Sequence, residues 1–237
     1  MKISIVIPAH NEEESLPQTL EAALSQDHPD YEIIVVNNAS SDGTERIARD
    51  MAIRHPNIKV VNESRKGLLW AREAGRTNAS GDIIANMDAD CLPERDWLSR
   101  GSKHFAREEV AAVTGPYDYH DGGEPFRVAS LLMQRYIYRP INTIFQHPMI
   151  KTGAVLIGGN NLIRASAIEK AGGYNTDLTF YGEDTDTAKR VSAHGKVRFD
   201  KNLTMKTSAR RFKSEGFLNI TGKYIYHFFR TIFSSKK

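Results

Sequence analysis

Short apolar runs alternate with amphipathic stretches through the first ninety residues, and this rhythm restricts the fold more than any other feature of the chain. Ile3–Ile7, Tyr31–Val36, Ile58–Val61 and Asp82–Met87 read as strands. Between them Glu12–Ser25, Asp42–His55 and Gly67–Thr77 read as helices. Leu16, Leu20 and Leu24 fall on one face of the first, and Pro56 ends the second. Strands and helices at this spacing predict parallel strands joined by right-handed crossovers, an α/β class. Sheets of this kind bind ligands beyond the carboxyl ends of their strands. Three polar segments hold that position: Pro8–Asn11, Asn37–Gly43 and Asp88–Cys91.

Past Pro93 the pattern loosens. Val110–Thr114 and Val197–Phe199 read as strands, and Val128–Phe145 as a helix interrupted at Pro140. The apolar run Ala154–Ile157 leads into Gly158-Gly159-Asn160-Asn161. Ala165–Ala171 is a short helix stopped by Gly172-Gly173, and Asp184–Ala193 another stopped by Gly195. No repeat or low-complexity linker divides the 237 residues, so one large globular domain is expected. The net charge of +3 is too weak to argue for nucleic acid, but suits anionic substrates or an anionic membrane surface. A single cysteine, Cys91, rules out an internal disulfide and a thiolate zinc cluster, and points to a reducing, cytosolic setting. The apolar stretch after Lys2 ends at Pro8 and at Glu12-Glu13-Glu14, too short for a secretion signal. No window approaches the ~18 apolar residues of a membrane span.

Chemistry concentrates in four places. Asp88-Ala89-Asp90 leaves a buried strand, where paired carboxylates can share Mg²⁺ or Mn²⁺ with a diphosphate; the alternative is a solvated turn. In Tyr181-Gly182-Glu183-Asp184 two acids open a helix, either as a cap or as a general base and its neighbour. The loop Asn37-Asn38-Ala39-Ser40-Ser41-Asp42-Gly43-Thr44 either caps a helix through Ser41 or Asp42, or reads a nucleobase edge through its amides. Arg65, Lys66, Arg72, Arg210 and Arg211 can neutralise a diphosphate or stay solvated.

These segments, taken in order, resemble a known family. They run Val6-Ile7-Pro8-Ala9-His10-Asn11-Glu12-Glu13, Ser41-Asp42-Gly43-Thr44, Lys66-Gly67 with Ala71-Arg72 and Ala74-Gly75, and Gly81-Asp82. Asp88-Ala89-Asp90 with Pro93, Gly158-Gly159-Asn160, Gly172-Gly173-Tyr174 and Gly182-Glu183-Asp184-Thr185-Asp186 complete the set. The chain resembles the family 2 inverting glycosyltransferases of GT-A fold, over residues 3 to about 190. The resemblance implies a Rossmann-like, mostly parallel sheet flanked by helices. It implies a GT-A domain over 1–210, with a nucleotide-sugar half (1–115) and an acceptor half (116–210), then a basic aromatic tail (211–237). It also implies roles: Asp90 as metal ligand, Asp88 beside the metal and the donor ribose, and Pro8, His10 and Glu12 lining the nucleoside pocket. Arg72 would lie near the nucleotide and Asn160 near the sugar. Asp184 would be the catalytic base, with Glu183 its acidic neighbour. The metal would be Mn²⁺ or Mg²⁺, the donor a UDP-sugar with GDP- and TDP-sugars as alternatives, and the acceptor a glycan or lipid-linked hydroxyl in cell-surface glycan assembly.

One departure stands out. Asn37-Asn38 replace two aspartates usual in the family, so Asn38 would meet the base with donors as well as an acceptor. The chain also lacks the aromatic motif of processive members. A sugar nucleotidyltransferase would share the alternation and acidic site, but it needs a Gly-rich basic loop where this chain has Pro8-Ala9-His10-Asn11. A non-catalytic nucleotide-sugar binding module is the other rival. Finally, Lys223–Phe233 and the terminal Lys236-Lys237 mix aromatic and basic residues. That suits either a docked helix or peripheral contact with the inner face of the plasma membrane. Leu131–Phe145 likewise suits a lipid-linked acceptor or simple core.

Overall fold

The computed structural model describes residues 1–146, 154–178 and 181–233. In chain order the first part comprises β1 (Ile3–Ala9), α1 (Leu16–Leu24), β2 (Tyr31–Asn37), α2 (Thr44–Arg54), β3 (Ile58–Asn62), α3 (Leu68–Asn78), β4 (Ile83–Met87), β5 (Leu92–Pro93), α4 (Trp97–Ser102) and β6 (Val110–Thr114). There follow β7 (Tyr117–Tyr119), α5 (Glu124–Met133), α6 (Arg139–Phe145), β8 (Asn160–Arg164), α7 (Ala165–Lys170), α8 (Glu183–Ser192), β9 (Lys196–Phe199), β10 (Met205–Thr207), α9 (Arg210–Glu215) and α10 (Phe217–Phe233).

Seven strands form one sheet in the order β3-β2-β1-β4-β8-β6-β9. All neighbours pair in parallel except β8, which runs against both β4 and β6. The sheet is buried on both faces, which explains why its central strands read as unbroken apolar runs. Ile3, Ile5 and Ile7 point into a core with α1, α2 and α4, around Leu16, Leu20 and Trp97. Val6, Ile34 and Ile84 point the other way, onto Leu69 of α3, Ile168 of α7 and Val191 of α8.

Strand order explains where a ligand fits. From β1 the chain winds outward through β2 to β3, then crosses back over the sheet so that β4 lies on the other side of β1. The carboxyl ends of β1 and β4 therefore flank a topological switch point, and the loops leaving them diverge around a crevice. Because β8 is antiparallel, its start at Asn160 lies opposite the end of β4 at Met87. Gly158-Gly159 thus reach the same end of the sheet as Asp88.

Three expectations shift. The first helix starts at Leu16 rather than Glu12, with Pro17 in its first turn. Residues before it serve the neighbouring crossover instead: Glu12 N–H donates to Thr44 Oγ1 at 2.8 Å, and Glu13 Oε2 accepts from Gly43 N–H at 2.7 Å. The expected Val128–Phe145 helix starts at Glu124 and carries a π-helical turn over Gln134–Tyr138, just ahead of Pro140. Proline offers no N–H and crowds the preceding turn, and a widened turn absorbs both effects. A second small sheet, β5-β10-β7, went unforeseen, because strands of two and three residues carry no readable period. Gly172 and Gly173, at φ of 82° and 76°, do follow α7 as a helix stop.

Within the described residues α10 is a docked helix. Ile220 and Ile232 are buried, Tyr181 stacks on His227 at 5.3 Å, and Lys189 Nζ donates to the carbonyls of Thr231 and Ile232 at 3.1 Å each. Its outer face nevertheless exposes Ile225, Tyr226 and Phe229. Lys236-Lys237 lie outside the described residues. No helix among the described residues is long and apolar enough to cross a membrane.

Candidate active site

The acidic segment after β4 and the one opening α8 face each other across a single cleft, and Arg72 of α3 joins them. Its Nη2 pairs with Asp88 Oδ1 at 3.3 Å and its Nη1 with Asp184 Oδ1 at 3.1 Å. Arg72 is only 4% exposed, whereas the two carboxylates keep 34% and 31%. A buried guanidinium must be paired to be tolerated, and its rigid fork sets the spacing of its partners. Both acids gain further anchors: Tyr117 Oη donates to Asp88 Oδ2 at 3.0 Å, and Gly158 N–H donates to Asp184 Oδ2 at 3.0 Å.

The two glycines are required by crowding. A Cβ on Gly159 would sit 2.3 Å from the Asp88 carboxylate and from Tyr117 Oη; one on Gly158 would sit 2.5 Å from Arg72 Nη2 and Asp184 Oδ1. Only hydrogen at these positions lets the β8 loop approach the acids so closely. Asn161 shapes that loop, donating to the carbonyls of Ile157 and Gly158 at 2.9 and 2.8 Å.

Electrostatics distinguish the carboxylates. Burial first, then the charge of Asp184, push Glu183 up to about 9, so it holds its proton at neutral pH. Burial also raises Asp184, while the Arg72 charge, and the hydrogen bonds from Arg72 and the Gly158 N–H, oppose the rise. Burial and the nearby Asp88 charge lift Asp90 to about 6. Its Oδ1 accepts from Thr207 Oγ1 at 3.4 Å, and its Oδ2 lies 3.4 Å from Arg210 Nε.

Asp88, Asp90 and Cys91 bring ligand-type atoms within 4.8 Å of one another. Cys91 is buried, its thiol is pushed well above the ordinary range, and its Sγ lies 3.8 Å from the Gly159 carbonyl as a donor. The donors that remain are two hard carboxylate oxygens, which fit Mg²⁺ or Mn²⁺ and leave positions for diphosphate oxygens and water.

The cleft encloses about 410 Å³, within the range of small-molecule sites. Pro8, His10, Glu12, Asn38, Arg72, Asp88, Asp90, Glu183 and Asp184 all line it. His10 Nδ1 is 2.7 Å from the Asn38 carbonyl, and Glu12 forms a two-point ion pair with Arg210. Two amides are already engaged. Asn38 accepts from Gly67 N–H at 2.9 Å and donates to the carbonyls of Glu63 and Arg65 at 3.0 and 2.7 Å. Asn160 is fully buried behind the cleft wall: it accepts from Trp97 Nε1 at 2.9 Å and donates to the carbonyls of Pro116 and Leu203 at 3.2 and 2.8 Å. It faces the scaffold rather than the cleft. Tyr117, Tyr119, Thr207 and Phe212 also line it, without any signal in the sequence, and so does Tyr224 of the aromatic tail. A wider hollow of about 580 Å³ shares no lining residue with the cleft and holds neither acidic motif.

Residues 4–172 match the protein family described as glycosyl transferase family 2. The chain is 36% identical to glycosyltransferase AglE of Haloferax volcanii over 126 residues, 51% of this chain and 41% of that protein. It is 35% identical to the probable glycosyltransferase YdaM of Bacillus subtilis over 206 residues, 80% of this chain and 46% of that protein. It thus spans less than half the length of these relatives. Among solved structures, the mannosyltransferase PcManGT of Pyrobaculum calidifontis, in complex with GDP-Man and Mn²⁺, superposes with a TM-score of 0.75 at 24% identity, over 99% of this chain and 65% of that one. That likeness is of fold, and the fold is the GT-A arrangement of a mostly parallel sheet between helices. With most of its length inside the family's span, this chain belongs to glycosyl transferase family 2.

Proposed function

We propose that the chain transfers a sugar from a nucleotide-sugar donor to an acceptor hydroxyl, with a divalent cation and with inversion at the anomeric carbon. The observation that carries this reading is the Arg72 bridge, which puts a metal-type carboxylate and a base-type carboxylate on one cleft. Residues 1–115 hold the donor: Pro8, His10, Glu12 and Asn38 border the nucleoside, and Asp88 and Asp90 hold Mn²⁺ or Mg²⁺. When bound, the cation supplies Lewis-acid stabilisation of the charge developing on the departing diphosphate. Asp184 takes the proton of the acceptor hydroxyl as that oxygen attacks the far face of the sugar carbon. Arg72 and the Gly158 N–H fix both Asp184 oxygens. One base and one direct displacement give inversion without a covalent intermediate.

Residues 116–210 and the 211–237 tail take the acceptor. The aromatic lining of Tyr119, Phe212 and Tyr224, with the exposed faces of α5 and α10 beyond it, supports a lipid-linked or glycan hydroxyl. Arg230 beside exposed Tyr226 and Phe229 supports peripheral contact with an anionic bilayer, at its cytoplasmic face, in cell-surface glycan assembly. Because Asn38 spends its amide on the backbone, UDP-, GDP- and TDP-sugars all stay in view, and the GDP-Man complex of the archaeal neighbour supports including GDP.

A thermal-shift panel of UDP, GDP, TDP and CDP with Mn²⁺ or EDTA identifies the carrier. Equal shifts with EDTA and Mn²⁺ for every nucleotide end the metal reading. Asp184→Asn is expected to cut transfer by about a thousandfold while the donor still binds. Retention of most of the rate removes Asp184 as base.

A further inference from the structure

The acidic cleft carries a second arginine, and its situation is the opposite of Arg72's. Arg210 opens α9 just after β10, and its backbone is firmly placed. β10 pairs with the β5 segment that follows Asp90, through Met205↔Pro93 and Lys206↔Leu92. Asp121 accepts from Ala209 N–H at 2.6 Å and Ser208 Oγ at 2.9 Å. The Arg210 side chain crosses to Glu12 on the far wall, with its fork on that carboxylate and its Nε 3.4 Å from Asp90 Oδ2. It is 56% exposed, whereas Glu12 and Asp90 are 12% and 15% exposed.

We infer that Arg210 is a resident counter-cation of this cleft, competing with a divalent cation for Asp90 until a nucleoside diphosphate brings negative charge that both can share. The inference rests on the metal-dependent reading above and deepens it.

Three observations support the competition. Glu12 and Asp90 are two sparsely exposed carboxylates with one guanidinium between them, so Arg210 already supplies the positive charge they need. A dication ligated by Asp90 would stand close to that guanidinium, and like charges at such range repel strongly outside bulk water. Arg72 cannot relieve the repulsion, because it is buried and holds Asp88 and Asp184. Arg210 can, because its exposed head moves from carboxylate to solvent at little desolvation cost. A diphosphate changes the balance, since its oxygens accept an arginine fork and ligate the cation together. Metal and nucleotide then bind synergistically, and the coupling is reciprocal.

The test follows Mn²⁺ binding by the electron paramagnetic resonance of the free ion, without turnover, in wild type, Arg210→Gln and Arg210→Lys, alone and with saturating UDP, GDP or TDP. Arg210→Gln is expected to bind Mn²⁺ alone about tenfold more tightly than wild type, and to gain about tenfold less from the nucleotide. Arg210→Lys keeps the charge and should stay within about twofold of wild type for Mn²⁺ alone. Its near-UV circular dichroism and that of Arg210→Gln report that both are folded. Wild-type or weaker Mn²⁺ binding by Arg210→Gln overturns the inference, while nucleotide-promoted Mn²⁺ binding in the wild type leaves the transferase reading standing. Failure of UDP, GDP and TDP alike to promote Mn²⁺ binding in the wild type overturns both.

Discussion

The sheet side and the helical side of the molecule around the cleft are finished to different degrees. On the sheet wall, Asn38, Arg72, Asn160 and Asn161 are buried, and each anchors backbone or a facing carboxylate. On the helical side, outside the cleft lining, α5 exposes Val128 and Leu132, the π turn exposes Tyr136 and Ile137, and α10 exposes Ile225, Tyr226 and Phe229. A wall with its polar groups already paired is preorganised and binds with little further ordering. A side that leaves apolar side chains in water offers surface that a partner can cover. On the proposed reaction, the first wall serves a donor of fixed shape and the second an acceptor that arrives with apolar bulk.

The contrast breaks most easily at its glycines. Gly159→Ala forces a Cβ into Asp88 and Tyr117 on the sheet wall, and should lower kcat/KM about a hundredfold by displacing the metal-side carboxylate. Gly222→Ala, in α10, meets nothing within 4 Å and should instead leave activity alone while raising stability by up to about 1 kcal/mol. Steady-state kinetics and thermal melts of the two variants decide the matter. Comparable losses in both would erase the distinction between the walls.

Asn38→Asp sharpens the sheet wall further. The substitution removes two donors aimed at the Glu63 and Arg65 carbonyls and points an anion at them, costing about 1–3 kcal/mol in denaturant unfolding. Unchanged stability combined with a switched nucleotide preference would make Asn38 a reader of the base rather than a staple.

What was legible in the sequence divides along the same line. β1 and β4 are buried on both faces, so their apolar runs stand out, and the acids that follow inherit a predictable place at the end of the sheet. Asp184 was visible as an acid at a helix start; that α8 brings it to Asp88 depends on Arg72 of α3, a long-range contact with no periodic trace. Tyr117 and Thr207 stayed hidden because β7 and β10 are three residues each, paired with strands far off in the chain. Asn160 was visible as a motif, yet its amide faces Trp97 and the backbone behind the cleft, and orientation is not encoded in spacing. Pro140 marked an interruption of the helix, but a proline permits a kink, a stop or a widened turn alike, and the π turn is not legible in it.

Glu183→Gln probes the seam between the walls. The unfolded chain releases this proton near the ordinary 4.5, whereas the folded site retains it up to about 9. The folded state therefore binds more protons across that window, and its stability falls as pH rises through it. Glutamine has no proton to lose, so the variant should match wild type near pH 5 and melt higher near pH 8. A constant gap in melting temperature across that range would mean that Glu183 ionises normally in the fold.

The smallest effect belongs to the helical rim. Ile225 and Tyr226 are 53% and 62% exposed, so replacing both with Ser removes apolar surface without opening the core. Lys223 is paired with Glu215, so among the aromatics of residues 216–233 Arg230 is the charge that would suit an anionic interface rather than a neutral one. The double variant should partition several-fold less onto phosphatidylglycerol vesicles at low salt, and transfer to a water-soluble acceptor should barely change. Added salt should weaken wild-type binding by screening, because the basic residues contribute through charge. Wild-type protein that ignores these vesicles at low salt would leave the exposed face to a protein partner, and the difference between the walls would then reflect assembly instead of access to lipid.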